Sequence, residues 1–84
     1  MGIVRGDLSV LAPATGAFSI SPADGVQIKK TRGLYVGVSG DVAVTMSDGT
    51  EVTFVDLAAG IEHPLSVIEV KSTGTNATSI IGLT

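Results

Sequence analysis

Few side chains in this sequence could act on a substrate. His63 is the one histidine. A neutral imidazole can serve as a general base near pH 7, but it needs a carboxylate to orient it. His63 precedes Pro64, which removes a backbone N–H and biases His63 toward extended geometry. That setting favours an ordinary loop histidine. Serines are numerous, yet none stands in the Gly-x-Ser-x-Gly elbow that would raise a nucleophile above a sheet. There is no cysteine, so thiolate catalysis, disulfides and thiolate metal sites are all excluded.

Metal and phosphate chemistry fare no better. Calcium takes six or more oxygen ligands, usually from closely spaced carboxylates. Asp41, Asp48 and Asp56 lie seven and eight residues apart, with no alternating acidic run. Asp48 belongs to a turn, and the other two read as strand-end residues. Gly33, Gly37 and Gly40 match neither the dinucleotide nor the Walker pattern, so tight turns or bulges explain them. Arg5-Gly6-Asp7 and the sequon Asn76-Ala77-Thr78 are three-residue matches and receive no weight. The expectation is no catalytic residue, no cofactor and no metal.

Charge narrows the partners. Five Lys and Arg face eight Asp and Glu, for a net charge of −3. A phosphate-neutralising nucleic-acid binder needs the opposite balance. Lys29, Lys30 and Arg32 form a small basic cluster. It reads as a solvated edge guarded by positive charge, or as a contact for an acidic protein surface. No apolar run approaches the ~20 residues of a membrane-spanning helix. Asp7 interrupts what would be the apolar core of a signal peptide, so the expectation is synthesis in a cytoplasm without export and no membrane partner.

The elements that must position these groups are strands. β-branched residues abound, and 11 glycines spread along the chain leave no uninterrupted helical window. Leu34, Val36 and Val38 share one face of a strand. Val42, Val44 and Met46 point inward from the next, with Ala43 and Thr45 outward. Ser47-Asp48-Gly49 is a hairpin signal. Val52 and Phe54 return inward, with Glu51 and Thr53 toward solvent. Residues 58–64 connect to a strand over 65–71 that buries Leu65, Val67, Ile68 and Val70. A turn over 72–76 leads to a last strand, 77–83. Earlier, residues 18–21 are short and apolar, Ser21-Pro22-Ala23-Asp24-Gly25 is a turn, and residues 26–31 read as a strand. The fold class is all-β, a small antiparallel β-sandwich or barrel over residues 17–84. Residues 1–16 form an extended N-terminal arm or an irregular strand.

A chain of 84 residues buries a modest share of its surface, so hydrophobic gain and ordering entropy nearly cancel. With no disulfide or metal, association is the remaining source of stability. A mean hydropathy of +0.50 is high for a small monomer and points the same way.

Residues 21–84 carry a wider pattern. It includes Ser21-Pro22-Ala23-Asp24, Thr31-Arg32-Gly33-Leu34-Tyr35-Val36-Gly37 and Gly40-Asp41-Val42-Ala43-Val44. Gly49, Val52-Thr53-Phe54, Ala59-Gly60, Pro64-Leu65 and Val70 follow, then Thr73-Gly74-Thr75-Asn76-Ala77-Thr78 before Ile80-Ile81-Gly82-Leu83. Together these resemble the spike base proteins of tailed bacteriophages and gene transfer agents. Residues 1–20 lie outside the resemblance. It implies a non-enzymatic β-domain on the capsid exterior of a virion. Such a domain forms a homo-oligomer, pentamer or trimer, bound to the major capsid protein, and carries a head spike or fibre in some cases. It implies no catalytic residue.

Two other readings stay open. One is a decoration (cement) protein at threefold points of the head. The other is a receptor- or carbohydrate-binding module, for which Tyr35 is the one aromatic platform. Candidate interface residues are Tyr35, which faces away from Leu34 and Val36, the pair Ile80 and Ile81, which as neighbours on a strand face opposite ways, and the basic Lys29, Lys30 and Arg32.

Overall fold

The computed structural model describes residues 13–84. Seven strands follow in order: β1 (Ala17–Ile20), β2 (Gly33–Val38), β3 (Gly40–Met46), β4 (Glu51–Leu57), β5 (Glu62–His63), β6 (Val67–Val70) and β7 (Thr78–Leu83). They form two antiparallel sheets, a four-stranded sheet in the order β1-β7-β2-β5 and a three-stranded sheet in the order β4-β3-β6. The chain is a small all-β sandwich. No strand ladder joins the two sheets among the described residues, so the sandwich rather than the barrel is the form adopted.

Facing residues in an antiparallel pair share a face of the sheet. On the inner face of the four-stranded sheet, Ile20 faces Ile80, which faces Val36 across β7. One step along, Phe18 faces Gly82, which faces Leu34. Val42, Val44, Val67 and Val70 close the core from the three-stranded sheet. Each such side chain, fully buried, contributes roughly 1.5–3 kcal/mol. Gly82 makes room for Phe18, since a Cβ at that position would stand 2.7 Å from Phe18 Cζ and the ring would have to shift.

The Asp-Gly hairpin forms as the sequence predicts. Gly49 takes φ of 94°, and Asp48 Oδ1 accepts the Thr50 N–H at 2.9 Å. At the other end of the same hairpin, the register shifts between Gly40 and Val42. There Asp56 sits at φ 55° and donates its N–H to Asp41 Oδ1 at 2.9 Å. An Asx side chain tolerates this left-handed geometry better than most.

Several expectations need correction. Ala43 and Thr45 are buried rather than solvent-facing. The 72–76 turn folds back over β3, so that Thr75 Oγ1 accepts the Ala43 N–H at 2.9 Å, while on the paired strand β6 Glu69 Oε1 accepts the Thr45 hydroxyl at 3.1 Å. Val38 is exposed, since it stands at the end of β2 beyond the core residues. Val52 is exposed as well, because β4 is an edge strand with one neighbour. His63 lies on a two-residue strand, β5, rather than in a loop. Residues 26–31 form no ladder. They run extended along β6, giving the Ile28 N–H to Ile68 O at 2.8 Å and the Thr31 N–H to Val67 O at 3.1 Å.

Of the expected N-terminal arm, residues 1–12 lie outside the described part. Residues 15 and 16 are tied to the end of β7: Thr15 N–H donates to Thr84 O and Thr84 N–H to Gly16 O, each at 2.9 Å.

Candidate interaction surfaces

The outer face of the four-stranded sheet presents a row of side chains. Ser19 faces Ile81, Ile81 faces Tyr35, and Tyr35 faces Glu62. Beside it, Ala17 faces Leu83, which faces Gly33. The Glu62 side chain lies over Gly33, where a Cβ would meet Oε2 at 2.8 Å. Tyr35, Ile81 and Leu83 are half-buried, so this face keeps partly exposed apolar surface. Ile80 is 3% exposed and points into the core. Of the two neighbouring isoleucines, the outward position is Ile81's.

The basic cluster lies in the loop that covers the free edge of β6. Lys29 and Lys30 are exposed. Arg32 is anchored: its N–H donates to Leu83 O at 2.8 Å and its Nη1 to Pro13 O at 3.2 Å. Thr31 fastens this loop from within. Its buried hydroxyl donates to Leu65 O at 3.0 Å and accepts the Val67 N–H at 3.1 Å.

On the outer face of the three-stranded sheet lies a groove of about 510 Å³, lined in part by Asp24, Glu51, Glu69, Lys71 and Thr73. Its charged groups satisfy one another or the backbone. Lys71 Nζ pairs with Glu51 Oε1 at 2.8 Å, and Glu69 Oε2 accepts the Gly25 N–H at 2.7 Å. Asp24 accepts from the Thr73 hydroxyl at 2.6 Å, the Ser72 N–H at 3.0 Å and the Thr73 N–H at 3.1 Å. Those donors, the Thr73 hydroxyl foremost, hold the Asp24 carboxyl below its ordinary pKa. The Glu51 carboxylate beside Lys71 raises the ammonium above its own. The groove is thus a structural clamp that ties the 21–25 turn to the 72–73 turn. In sequence, Asp24 looks only like a turn residue, because nothing local signals a partner 48 residues away.

The fourth surface is the bare edge of β4. Met46 N–H donates to Thr50 O at 2.7 Å. By the alternation of antiparallel pairing, Val52 and Phe54 then bond to β3, while Glu51 and Thr53 turn their N–H and C=O outward. Val55 is 75% exposed. The sequence reading missed this surface, because alternation shows which face a strand buries and not whether it has one neighbour or two.

His63 Nε2 lies 2.8 Å from Ala58 O. A carbonyl only accepts, so Nε2 carries the proton, and the ring is engaged in holding the 58–63 connection. No group of three or more His, Asp or Glu among the described residues could hold a metal ion.

The class these features define is a small all-β sandwich with a partly apolar outer face and one bare strand edge. No known protein-family profile matches the chain, and no curated protein matches it. Among solved structures it is similar to a chain of the "Capsid of native GTA particle computed with C5 symmetry", GTA denoting gene transfer agent. The two superpose with a TM-score of 0.80 and 28% identity over 89% of this chain and 88% of the other. That likeness supports a phage- or gene-transfer-agent-type, capsid-related protein.

Proposed function

We propose that this chain is a non-enzymatic structural protein of a phage-like or gene transfer agent capsid. It acts through adhesion, to copies of itself and to the shell. The observation that carries this reading is the likeness to a capsid chain over nearly the whole length of both molecules. The surfaces agree with it: an outward row of Tyr35 and Ile81 with Leu83 beside it, a bare strand edge, and polar groups that are engaged in holding the fold.

Within that role we place the protein on the capsid exterior as a homo-oligomeric vertex spike base attached to the major capsid protein. The residue pattern over 21–84 supports a vertex base over a cement protein at threefold points. The partly apolar outer row of Tyr35 and Ile81 supports this face as one that adheres to the shell or to a second copy. Many identical copies turn weak single contacts into firm attachment.

The test is mass spectrometry of purified particles from the source cells, with copy number and cross-links to the major capsid protein. A vertex base is present at on the order of tens of copies and a cement protein at hundreds, following the symmetry of the shell. Absence of the chain from purified particles overturns the proposal.

A further inference from the structure

We propose that β4 of one copy pairs with the extended segment 26–30 of a second copy, carrying the three-stranded sheet of one subunit into the next. The inference rests on the self-association proposed above and names the surfaces that make it.

Three observations carry it. The first is an unfilled edge. Glu51 and Thr53 turn backbone donors and acceptors away from β3, and among the described residues no strand pairs with that side of β4. Exposed edges of this length are templates for strand addition. Most of this edge also lacks the usual protections. β4 is seven residues long, contains no proline or lysine, and bears the exposed Val52 and Val55.

The second is a strand signal that the fold leaves unused. Val26 to Thr31 has strand character in sequence, yet in the structure it makes two backbone hydrogen bonds to β6 and no ladder. Ile28 and Thr31 face β6. Residues 26, 27, 29 and 30 are exposed, and Val26 is 54% so. A strand laid along the outer side of this segment would continue the order β4-β3-β6 by one more layer.

The third is complementarity. β4 and β6 flank β3 on opposite sides, so the two surfaces lie on opposite flanks of one sheet. The β4 flank carries Asp48, Glu51 and Asp56, offset by Lys71 on Glu51. The other flank carries Lys29 and Lys30, which take part in no ion pair among the described residues. Each strip thus combines an exposed valine with a net charge, negative on the β4 flank and positive on the other. A contact between two different surfaces of the same chain is head-to-tail, which closes into a ring when the rotation per subunit allows.

The test is the solution mass by size-exclusion chromatography with light scattering across a concentration series. The wild-type chain is expected at a multiple of 8.4 kDa. Thr53→Pro removes an outward N–H and leaves the β3 ladder intact. Val55→Lys sets a cation against Lys29 and Lys30. Lys29→Glu with Lys30→Glu sets acids against the β4 flank. Each is expected to shift the mass to 8.4 kDa with the circular dichroism spectrum unchanged. The triple variant Val55→Lys, Lys29→Glu, Lys30→Glu is expected to restore the oligomer. Should Thr53→Pro fail to fold, the charge set decides alone. A wild-type chain that stays monomeric up to millimolar concentration overturns the pairing, as does an oligomer that persists in Val55→Lys and in the double Lys→Glu variant. The capsid reading is judged separately, by whether the wild-type chain is present in purified particles, so either idea can fail without the other.

Discussion

The two edges of the three-stranded sheet begin alike and end differently. β6 and β4 each pair with β3 on one side, and each is left with a row of backbone donors and acceptors on the other. At β6 the chain supplies its own cover. The segment from Ala23 to Thr31 gives N–H groups to Val70, Ile68 and Val67, and the Thr31 hydroxyl satisfies two more backbone groups from inside. At β4 the chain supplies none among the described residues. That bare edge is the one that the proposed pairing between copies would fill. Protection thus follows the route of the loops rather than the character of the strands, since β4 is the longer of the two and is still the one left without cover.

That contrast can be tested on covered and bare positions in turn. The largest effect is expected on β7, where neighbouring residues divide between core and surface. Ile80→Asp places a carboxylate in the core and should destabilise the fold by about 4 kcal/mol or more. Ile81→Asp, on the outer face, should leave the thermal midpoint within a few degrees and reduce attachment to capsids instead. Equal losses of thermal stability in the two variants would refute the facing assigned here.

Next comes the fastening of the covered edge. Thr31→Val keeps the shape and removes the hydroxyl, leaving Leu65 C=O and Val67 N–H without their partner. The cost should be about 2–3 kcal/mol, or roughly 10–20 °C in the melting temperature for a domain of this size. A melt within 2–3 °C of wild type, on the same scale, would show that water replaces the hydroxyl and that the loop is loosely held.

The clamp at the start of that loop should respond to acid. Asp24 and Asp48 have folded-state pKa values below their ordinary ones. Their contributions are therefore fully present above the unfolded carboxylate range and fade as pH falls through the lowered folded values. Lys71 has the opposite sign: its raised pKa contributes up to the ordinary lysine range and is lost as pH climbs beyond it. Asp24→Asn should flatten the acid limb of a pH–stability curve, and an unchanged limb would count against the clamp.

The smallest effects belong to the bare edge. Thr53→Ala should move the stability of the isolated subunit by less than about 0.5 kcal/mol. In hydrogen exchange, the Glu51 and Thr53 amides should exchange quickly in dilute solution while those of Ile28 and Thr31 are protected. Protection at Glu51 and Thr53 should then grow with protein concentration.

The parts legible in the sequence were those governed by neighbours. The Ser47-Asp48-Gly49 turn and the inward alternation of Val42 and Val44 follow from local geometry, and so do the strand positions from residue 33 onward, apart from the two-residue β5. What the pattern could not show was governed by distance. Thr45 and Ala43 read as outward and are outward, yet they are buried: a turn some thirty residues later folds across Ala43, and Glu69 on the neighbouring β6 covers Thr45. Val52 and Val38 read as inward and lie exposed, because strand periodicity does not reveal where a sheet ends. The segment 26–31 reads as a strand and lies extended without a ladder. The absence of a catalytic constellation was an inference from residue types, whereas Asp24, Glu69 and Thr31 as fastening groups needed the structure, since each acts on a partner more than twenty residues away.

β7 lies between β1 and β2 in the four-stranded sheet, although it is the last strand of the chain. Ala17 pairs with Leu83, so the ladder closes a loop that spans almost the whole fold. Synthesis proceeds at about 5–20 residues per second, and for those seconds the nascent chain has β1 and β2 but not the strand that joins them. The sandwich therefore assembles only after Leu83 has been added. Until then β1 and β2 have no ladder between them, and each keeps open the edge that β7 later fills, a template for a strand of another chain.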